Sequence, residues 1–481
     1  MKKFLCKLCG YVHECESLEI NYVCPVCGVN ASQFEELTDE KEVNNRVKIS
    51  ETNPAIIRIN EKCINCGQCK SICENQVGIK YDVNLCKEPI CINCGQCIMG
   101  CPAGALIPKY NYKEVDDIIT KNNKVVIAFT SPSVRVALGE EFSLPFGSFV
   151  EGKLVSALRG LGFNYVFDTT FGADITIVEE VNELVNRIKN NGVLPMFTSC
   201  CPSWIKYVEI YHPELIQNIS SCKSPISMQS ILIKEFISNI KGIRKDDIVT
   251  VAITPCTAKK MEVKREELSG TDYVITTSEL ANYLREKNIK FNDLPSSEYD
   301  TLMSRGSGSG LIFGNSGGVM EAALRTLNFV LTGENIDNKK LANLNIRGQV
   351  DIKEGTIKIN NMDINIAVIY GMPALERFLK NMRETDKTYH FVEVMNCPGG
   401  CIGGGGQPLK AIGRLKEARE ERIKALYESD IKSDIKYSHD NKDVQKVYNE
   451  FLGEIGGEKA HKMLHTEYTD KSSRLKIKVE N

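Results

Sequence analysis

The residues of this chain that are best suited to chemistry are its twenty cysteines, of which fourteen lie in residues 1–101 and six in residues 102–481. Thiolates bind iron and zinc, and they also act as nucleophiles. The first residues contain no apolar stretch long enough for a signal peptide, so we expect a cytoplasmic protein. In that compartment, this many cysteines indicate metal sites rather than disulfides.

Two cysteine pairs near the N-terminus have the spacing of a tetrahedral metal site. Cys6 and Cys9 form one pair, and Cys24 and Cys27 form the other. Four thiolates in this arrangement bind a single iron or a zinc ion. The surrounding sequence resembles the small rubredoxin-like module of rubrerythrins, which implies one redox-active iron in a domain at residues 1–37, with zinc as the alternative metal.

Two longer cysteine runs follow a polar linker at residues 38–53. Both have the spacing Cys-x2-Cys-x2-Cys-x3-Cys of bacterial two-cluster ferredoxins, in which the fourth cysteine of each run binds the other cluster. The sequence therefore predicts a ferredoxin-like domain with two 4Fe–4S clusters at residues 54–110. The ligands of the first cluster are Cys63, Cys66, Cys69 and Cys101, and those of the second are Cys91, Cys94, Cys97 and Cys73.

Three segments in the rest of the chain place cysteine beside proline or glycine after an apolar run. They are TSCCPSW (198–204), TPCTAKKME (254–262) and EVMNCPGGCIGGGGQP (393–408). Loops at strand ends are where cofactors commonly bind in α/β folds. The segments hold five cysteines, one more than a 4Fe–4S cluster needs. They therefore predict a third cluster and one thiol that is left for chemistry.

Buried strands and amphipathic helices must position these loops. Residues 124–130, 247–255 and 389–398 are apolar enough for buried strands, and residues 173–192 have the period of a helix. The C-terminal region is charged and helical. These patterns predict a multidomain protein with small α+β domains at its N-terminus and a large α/β domain at residues 111–481.

The three cysteine segments resemble the signature motifs of the FeFe (iron-only) hydrogenase catalytic domain, and the similarity extends over about residues 111–470. The resemblance implies a large α/β catalytic domain whose C-terminal helices match the family's small subunit. It implies an oxidoreductase that reversibly reduces protons to hydrogen with electrons from ferredoxin-type carriers. A hydrogen or redox sensor of the same family, with slow turnover, is the alternative.

The resemblance also implies the H-cluster, a 4Fe–4S cluster joined to a two-iron subcluster that carries carbonyl, cyanide and azadithiolate ligands. The cysteines that would hold it are Cys201, Cys256, Cys397 and Cys401, the last of which would also bridge to the two irons. Lys259 would donate a hydrogen bond to one cyanide, and Met395 would pack beside the subcluster. Pro132 and Ser133 would line the pocket of the other cyanide.

Cys200 is the fifth thiol, and in the family the thiol at this position passes protons to the cofactor. The resemblance implies a proton relay through Cys200, Glu180, Ser220, Glu183 and Arg187. On the residues alone, the spacing of Glu180, Glu183 and Arg187 favours a solvated helix face instead.

Two residues depart from the family pattern near the two-iron site. Thr254 stands where most members have methionine, and Ile226 replaces a polar residue. Cys222 is an additional thiol in the same segment as Ile226. These departures predict a change in tuning, such as the bias between hydrogen production and uptake or the response to oxygen. The pair His461 and His465 fits a surface or capping role.

Composition and motifs exclude other classes. A net charge of −2 and the lack of a long apolar run predict no nucleic-acid or membrane partner. A peroxide reductase of the rubrerythrin type would need paired Glu-x-x-His motifs, which the sequence lacks. The resemblance implies other partners: a ferredoxin or another small electron carrier, protons and hydrogen, and the maturation proteins that install the two-iron subcluster. The sequence makes no prediction of the oligomeric state.

Overall fold

The computed structural model describes residues 2–6, 11–26, 28–37, 46–79, 90–385, 387–408 and 413–475. The N-terminal unit is a three-stranded antiparallel sheet in the order β2-β1-β3. Its strands are β1 (Lys2–Cys6), β2 (Val12–Cys15) and β3 (Phe34–Leu37). Cys6, Cys24 and Phe34 are its buried core residues. A hydrophobic core this small needs an additional stabilising cross-link, such as a bound metal ion.

The second unit holds the two long cysteine runs between two short paired strands. Its elements are β4 (Ile56–Arg58), α1 (Gln68–Ser71), α2 (Gln96–Met99) and β5 (Leu106–Pro108). Each helix begins after a glycine with left-handed backbone, Gly67 (φ 78°) and Gly95 (φ 70°). A Cβ atom on Gly95 would lie 2.5 Å from Thr257 Oγ1, so glycine is required where this unit meets the large domain.

Eight further strands in the described residues form two four-stranded sheets. They are β6 (Val125–Thr130), β7 (Tyr165–Asp168), β8 (Met196–Phe197), β9 (Ile248–Thr254), β10 (Tyr273–Thr276), β11 (Ile352–Ile359), β12 (Met362–Tyr370) and β13 (Phe391–Met395). The first sheet is parallel throughout and has the order β10-β9-β6-β7. The second has the order β11-β12-β13-β8, in which only the β11–β12 hairpin is antiparallel.

Helices cover both sheets. In the first half of the large domain they are α3 (Tyr112–Lys121), α4 (Glu151–Gly160), α5 (Thr169–Lys189), α6 (Pro202–Tyr211), α7 (Pro225–Leu232), α8 (Ser238–Lys241), α9 (Lys259–Glu262) and α10 (Thr277–Glu286). In the second half they are α11 (Gly308–Ile312), α12 (Gly318–Thr332), α13 (Asn338–Ala342), α14 (Met372–Glu384), α15 (Leu415–Lys432), α16 (Lys442–Val447) and α17 (Glu458–Leu464). Among the described helices, none combines the length and apolar character needed to cross a lipid bilayer.

Helix α5 lies between the two sheets. One face places Ile177 and Val181 in the apolar core with β12 and β13, and the other places Phe171 and Ile175 in the core with β6 and β9. Asp168 begins the helix, because its side chain accepts a hydrogen bond from the Thr170 N–H (3.0 Å). A helix held on two sides is a rigid support for polar side chains near its end.

The strands and the helix predicted in the large domain are confirmed within a few residues. Strands β6, β9 and β13 lie inside the predicted segments, and α5 starts at Thr169 rather than residue 173 because Asp168 supplies its cap. The large domain is a mixed α/β structure. The β11–β12 hairpin was not predicted.

Candidate active site

The loops that follow β6, β8, β9 and β13 meet at one cavity. Its lining includes the cysteines of all three motifs and the predicted contact residues: Pro132, Ser133, Cys200, Cys201, Cys256, Lys259, Met395, Cys397 and Cys401. The carboxyl ends of strands from both sheets therefore converge here, which is the usual location of a site in an α/β fold. Thr254 and Ile226 also line this cavity, and both are buried.

The cysteines of the cavity have surroundings that suit a positively charged cluster. Desolvation raises the pKa of Cys201, while backbone N–H groups of Trp204, Asn396 and Ser203 that donate to its sulfur oppose this rise. Desolvation, followed by repulsion from Cys201, raises the pKa of Cys256 to about 11. Neighbouring thiolates in a dry site are stable only beside cations, and four thiolates with N–H donors are the ligand set of a 4Fe–4S cluster.

Lys259 brings a positive charge to the same cavity. Its Nζ donates hydrogen bonds to Glu262 Oε2 (2.6 Å) and to the Cys200 carbonyl (3.2 Å). Burial opposes the charge, but Glu262 outweighs burial and raises the pKa of Lys259, so the ammonium form is kept. Ser133 Oγ is buried and makes no hydrogen bond within the described residues. A cation and an unpaired hydroxyl in the cavity wall fit a cofactor with polar diatomic ligands.

A chain of hydrogen bonds leads from the cavity along α5. Glu180 is buried, accepts a hydrogen bond from the Ser199 N–H, and shares one with the Ser220 hydroxyl. Ser220 Oγ donates to Glu183 Oε2 (3.0 Å), and Glu183 Oε1 accepts from Arg187 Nη2 (2.6 Å). The side chains of Glu183 and Arg187 are each 15% exposed. The structure therefore brings the predicted relay residues together in the predicted order, from the interior to the surface.

Residues 124–405 match the family described as iron only hydrogenase large subunit, C-terminal domain, and residues 416–471 match iron hydrogenase small subunit. The chain belongs to the iron-only hydrogenase family. One relative is iron hydrogenase 1 of Clostridium pasteurianum, which is 42% identical over 374 residues. That match covers 76% of this chain and 65% of the relative, so the chain spans about two thirds of the relative's length.

Two further similarities extend the match along the chain and to solved structures. NADP-reducing hydrogenase subunit HndD of Solidesulfovibrio fructosivorans is 36% identical over 490 residues, which cover 96% of this chain and 81% of the relative. A structure of a variant of the FeFe hydrogenase HydA1 from Chlamydomonas reinhardtii superposes with a TM-score of 0.65 at 37% identity. It covers 75% of this chain and 98% of that one. The large domain therefore has the fold of the FeFe hydrogenase catalytic domain.

Burial strongly changes the titration of Glu180. Desolvation, followed by repulsion from Glu183, raises the pKa of Glu180 from 4.5 to about 8. At neutral pH the carboxyl is therefore protonated and can donate to Ser220, which donates in turn to Glu183. A group with a pKa near the working pH takes up and releases protons most effectively.

The raised pKa of Glu180 predicts a pH dependence of stability. The unfolded chain releases this proton near pH 4.5, whereas the folded protein keeps it up to about pH 8. Since the folded state binds more protons in this interval, the free energy of unfolding falls as pH rises through it. We expect Glu180→Gln to remove this part of the slope, so that the variant gains stability relative to the parent as pH rises. Denaturant titrations across the interval measure the effect.

The control for that measurement is Glu420→Gln, which changes an exposed carboxyl on α15. The free energy of unfolding of this variant should depend on pH as it does in the parent. If the free energy of unfolding changed with pH in the same way for the parent and for Glu180→Gln, the assignment of a raised pKa to Glu180 would be contradicted.

The eight cysteines of the two runs in the second unit line two smaller cavities. One is lined by Cys63, Cys66, Cys69 and Cys101, and the other by Cys73, Cys91, Cys94 and Cys97. These are the same two sets of four cysteines that the sequence spacing predicts. Backbone N–H groups point at the sulfurs, as those of Val47 at Cys69 (3.4 Å) and of Ala105 at Cys101 (3.3 Å). Such N–H donors stabilise thiolates and suit cluster ligation.

The second of these sets lies directly against the catalytic motifs. Gln96 Nε2 donates to the Gly403 carbonyl (2.9 Å), and Thr257 Oγ1 donates to the Asn93 carbonyl (2.7 Å). The two units are therefore joined by hydrogen bonds beside the second set of cysteines.

The N-terminal unit is described only in part at its predicted metal site. Cys6 and Cys24 are buried, and their backbone N–H groups donate to Tyr11 O and Val29 O (2.8 Å each). Cys9 and Cys27 lie outside the described residues.

Sequence reasoning missed a group of residues behind the relay. The pair His461 and His465 was predicted to be at the surface or in a cap; His461 is exposed, and His465 is the C-cap residue of α17. His465 is also buried, because the C-terminal end of α17 packs against the segment that carries Ser220, and its Nδ1 lies 2.7 Å from Ser221 Oγ. The two contacting residues are 244 positions apart, so no local pattern could have revealed the contact.

Proposed function

We propose that this chain is a hydrogenase that catalyses the reversible reduction of protons to hydrogen with electrons from a small carrier protein. One observation carries the proposal: five cysteines from three strand-end loops converge on one cavity, and one of them adjoins a buried chain of proton-exchanging groups. A site for electron transfer alone would need ligands but no path for protons. The names of the similar proteins, iron hydrogenase 1 and HndD, support the same reaction.

The cavity residues would hold the H-cluster, which when bound supplies the redox chemistry that interconverts protons, electrons and hydrogen. Its 4Fe–4S part would be ligated by Cys201, Cys256, Cys397 and Cys401, with Cys401 as the bridge to the two irons. The Lys259 ammonium would donate to a cyanide ligand, a charge-assisted hydrogen bond that fixes its orientation. Met395, Pro132 and Ser133 would pack around the two irons and exclude water.

The chain's own residues move the protons. Arg187 and Glu183 form the outer end of the relay, where the partly exposed side chains meet solvent. Glu183 exchanges a proton with Glu180 through the Ser220 hydroxyl, and Glu180 passes it on to Cys200. Repulsion from Glu180 is the second cause, after desolvation, of the raised pKa of Cys200. The thiol thus stays protonated and serves as the last donor toward the cofactor.

Electrons would reach the cavity through the second unit, which we propose is a ferredoxin-like domain with two 4Fe–4S clusters. The two four-cysteine sets and their N–H donors support this assignment. We further propose that residues 1–37 are a rubredoxin-like domain with one iron, or alternatively zinc, bound by Cys6, Cys9, Cys24 and Cys27. The burial of Cys6 and Cys24 in the small core of this unit supports it.

The partners that this function requires are a ferredoxin or another small electron carrier and the maturation proteins that install the two-iron subcluster. We propose the cytoplasm as the location, since thiols stay reduced in that compartment.

Hydrogen evolution from a reduced viologen tests the proposal. Protein matured with the two-iron subcluster should evolve hydrogen, and the same protein with its iron–sulfur clusters but without the subcluster should not, since the ligands alone supply no hydrogen chemistry. Gas chromatography measures the product. A matured protein that retains its iron but turns over only slowly would favour the alternative, a hydrogen or redox sensor, and would direct attention to Thr254 and Ile226 in the cavity wall.

A further inference from the structure

Three side chains with metal-binding atoms meet beside the proton relay. Glu183, Cys222 and His465 present a carboxylate oxygen, a thiol sulfur and a ring nitrogen that all lie within 4.8 Å of one another. Cys222 Sγ is 4.0 Å from both Glu183 Oε2 and His465 Nδ1. Ser221 Oγ lies 3.1 Å from the same carboxylate oxygen and 2.7 Å from the same nitrogen. Thiolate, imidazole and carboxylate together are a typical ligand set for zinc.

A second carboxylate holds His465 in the orientation of a metal ligand. His465 Nε2 lies 3.1 Å from Glu179 Oε2, and Glu179 is itself fixed by the Tyr448 hydroxyl and the Gly456 N–H (3.0 Å). Histidines that bind metals usually donate their other ring N–H to a carboxylate, which fixes the tautomer and makes the free nitrogen more basic. With Nε2–H donated to Glu179, Nδ1 is left as an acceptor, 2.7 Å from Ser221 Oγ and 4.0 Å from Cys222 Sγ.

The charge around the cluster favours a cation. Arg187 donates to the other oxygen of the relay carboxylate, Glu183 Oε1, through Nη2 (2.6 Å) and Nε (3.1 Å). Oε2 is on the side of Cys222, where the hydroxyls of Ser220 and Ser221 also donate to it (3.0 and 3.1 Å). With Glu179, two carboxylates thus lie at the cluster, and Arg187 pairs with one of them. Glu183 is 15% exposed, whereas Cys222 is fully buried. An ion could thus enter from solvent along Glu183 and reach the thiol behind it.

We propose that Glu183, Cys222 and His465 form a binding site for zinc or a chemically similar divalent cation, and that the bound cation takes Glu183 out of the proton relay. Ser221 Oγ or a water molecule would complete four ligands. In tetrahedral zinc sites the ligand atoms lie roughly 3.5 Å apart, so side-chain movements of about 1 Å or less would close the site. The thiol proton of Cys222 leaves to solvent when the thiolate binds. The binding rests on the geometry alone, whereas the loss of turnover rests on the proposed hydrogenase function.

The test compares zinc binding by the full-length protein, with its iron–sulfur clusters in place, and by Cys222→Ala. After exposure to zinc and removal of weakly bound ions, the parent should hold about one more zinc per chain than the variant. Zinc K-edge absorption of that extra ion should show one sulfur neighbour at about 2.3 Å with nitrogen and oxygen neighbours at about 2.0 Å. A zinc ion in the N-terminal unit would be common to both proteins and cancel in the comparison. His465→Gln, which keeps a polar side chain at that position, should also lose the extra ion.

Turnover gives the second readout. Zinc should lower hydrogen evolution by the parent at least about tenfold, because a positioned proton carrier contributes that much or more. A chelator should restore it, and zinc should not inhibit Cys222→Ala. Equal zinc contents in the parent and both variants would overturn the site. If the parent bound the extra zinc ion with one sulfur neighbour but evolved hydrogen at an undiminished rate, the metal site would be supported. The role of Glu183 in the proton relay would then be overturned. An inactive parent would count against the proposed function, while the binding comparison would still decide the site.

Discussion

Replacing Cys200 by alanine is expected to lower hydrogen evolution by about 10²–10⁴-fold, which is the contribution of a positioned proton donor. Alanine keeps the backbone carbonyl that Lys259 Nζ contacts (3.2 Å), so the lysine should keep its position. It removes the sulfur-bound proton between Glu180 and the cofactor. The four ligating cysteines are unchanged. The infrared bands of the bound carbonyl and cyanide ligands should therefore persist while the rate of hydrogen evolution from reduced viologen collapses.

The matched control is Cys222→Ala in buffer that has been freed of metal ions. Cys222 is also a buried thiol near the relay, but it lies outside the proposed proton path. This variant should retain the turnover of the parent. If Cys200→Ala kept more than half of the parent's rate with the same infrared bands, protons would be reaching the site by another route.

The grouping of the candidate metal ligands could be predicted from the sequence because these cysteines occur in short segments with the regular spacing that a cluster would need. In the second unit, Cys66 and Cys69 are separated by two residues, and the rule that the fourth cysteine crosses to the other run places Cys101 with them. The cavity linings contain the same sets. The three catalytic segments each follow an apolar strand, so the parallel sheets bring together residues that are far apart in the chain.

The proton path could be recognised only by resemblance, because its contacts depend on tertiary packing. The period of three and four residues from Glu180 to Arg187 is the same for a solvated face and a buried one. The preference for a solvated face was wrong for Glu180, which is 2% exposed. Helix α5 lies between two sheets, and the segment with Ser220 covers its polar residues. That burial, which no local pattern encodes, is the main cause of the raised pKa of Glu180.

The support of α5 also depends on a buried ion pair at its first turn. Arg135 donates to both oxygens of Asp168, with distances of 2.6 Å from Nη2 to Oδ1 and 3.0 Å from Nη1 to Oδ2. Both side chains are fully buried, and Glu151 is a second acidic partner of Arg135. The same Asp168 Oδ1 accepts the hydrogen bond from Thr170 that begins α5. One carboxylate thus joins β7, α5 and the loop that follows β6.

Replacing Asp168 by alanine is expected to destabilise the large domain by about 3–5 kcal/mol, which is the usual cost of removing one partner of a buried ion pair. The guanidinium of Arg135 would remain in the interior with Glu151 as its one acidic partner among the described residues, and α5 would lose its N-terminal cap. Chemical denaturation followed by far-UV circular dichroism measures the loss. The control, Asp351→Ala, removes an aspartate that pairs with Arg377 at the surface, where the side chains are 46% and 58% exposed. It should cost less than about 1 kcal/mol.

Asp168→Asn separates the charge from the geometry of the helix start. Asparagine is as good an N-cap as aspartate, so this variant should keep the bond to Thr170 and lose only the negative charge that faces Arg135. A loss of stability close to that of Asp168→Ala would assign most of the cost to the buried charge. A loss close to that of Asp351→Ala would contradict the ion pair as the main support. In that case the cap alone would position the helix that carries Glu180 and Glu183.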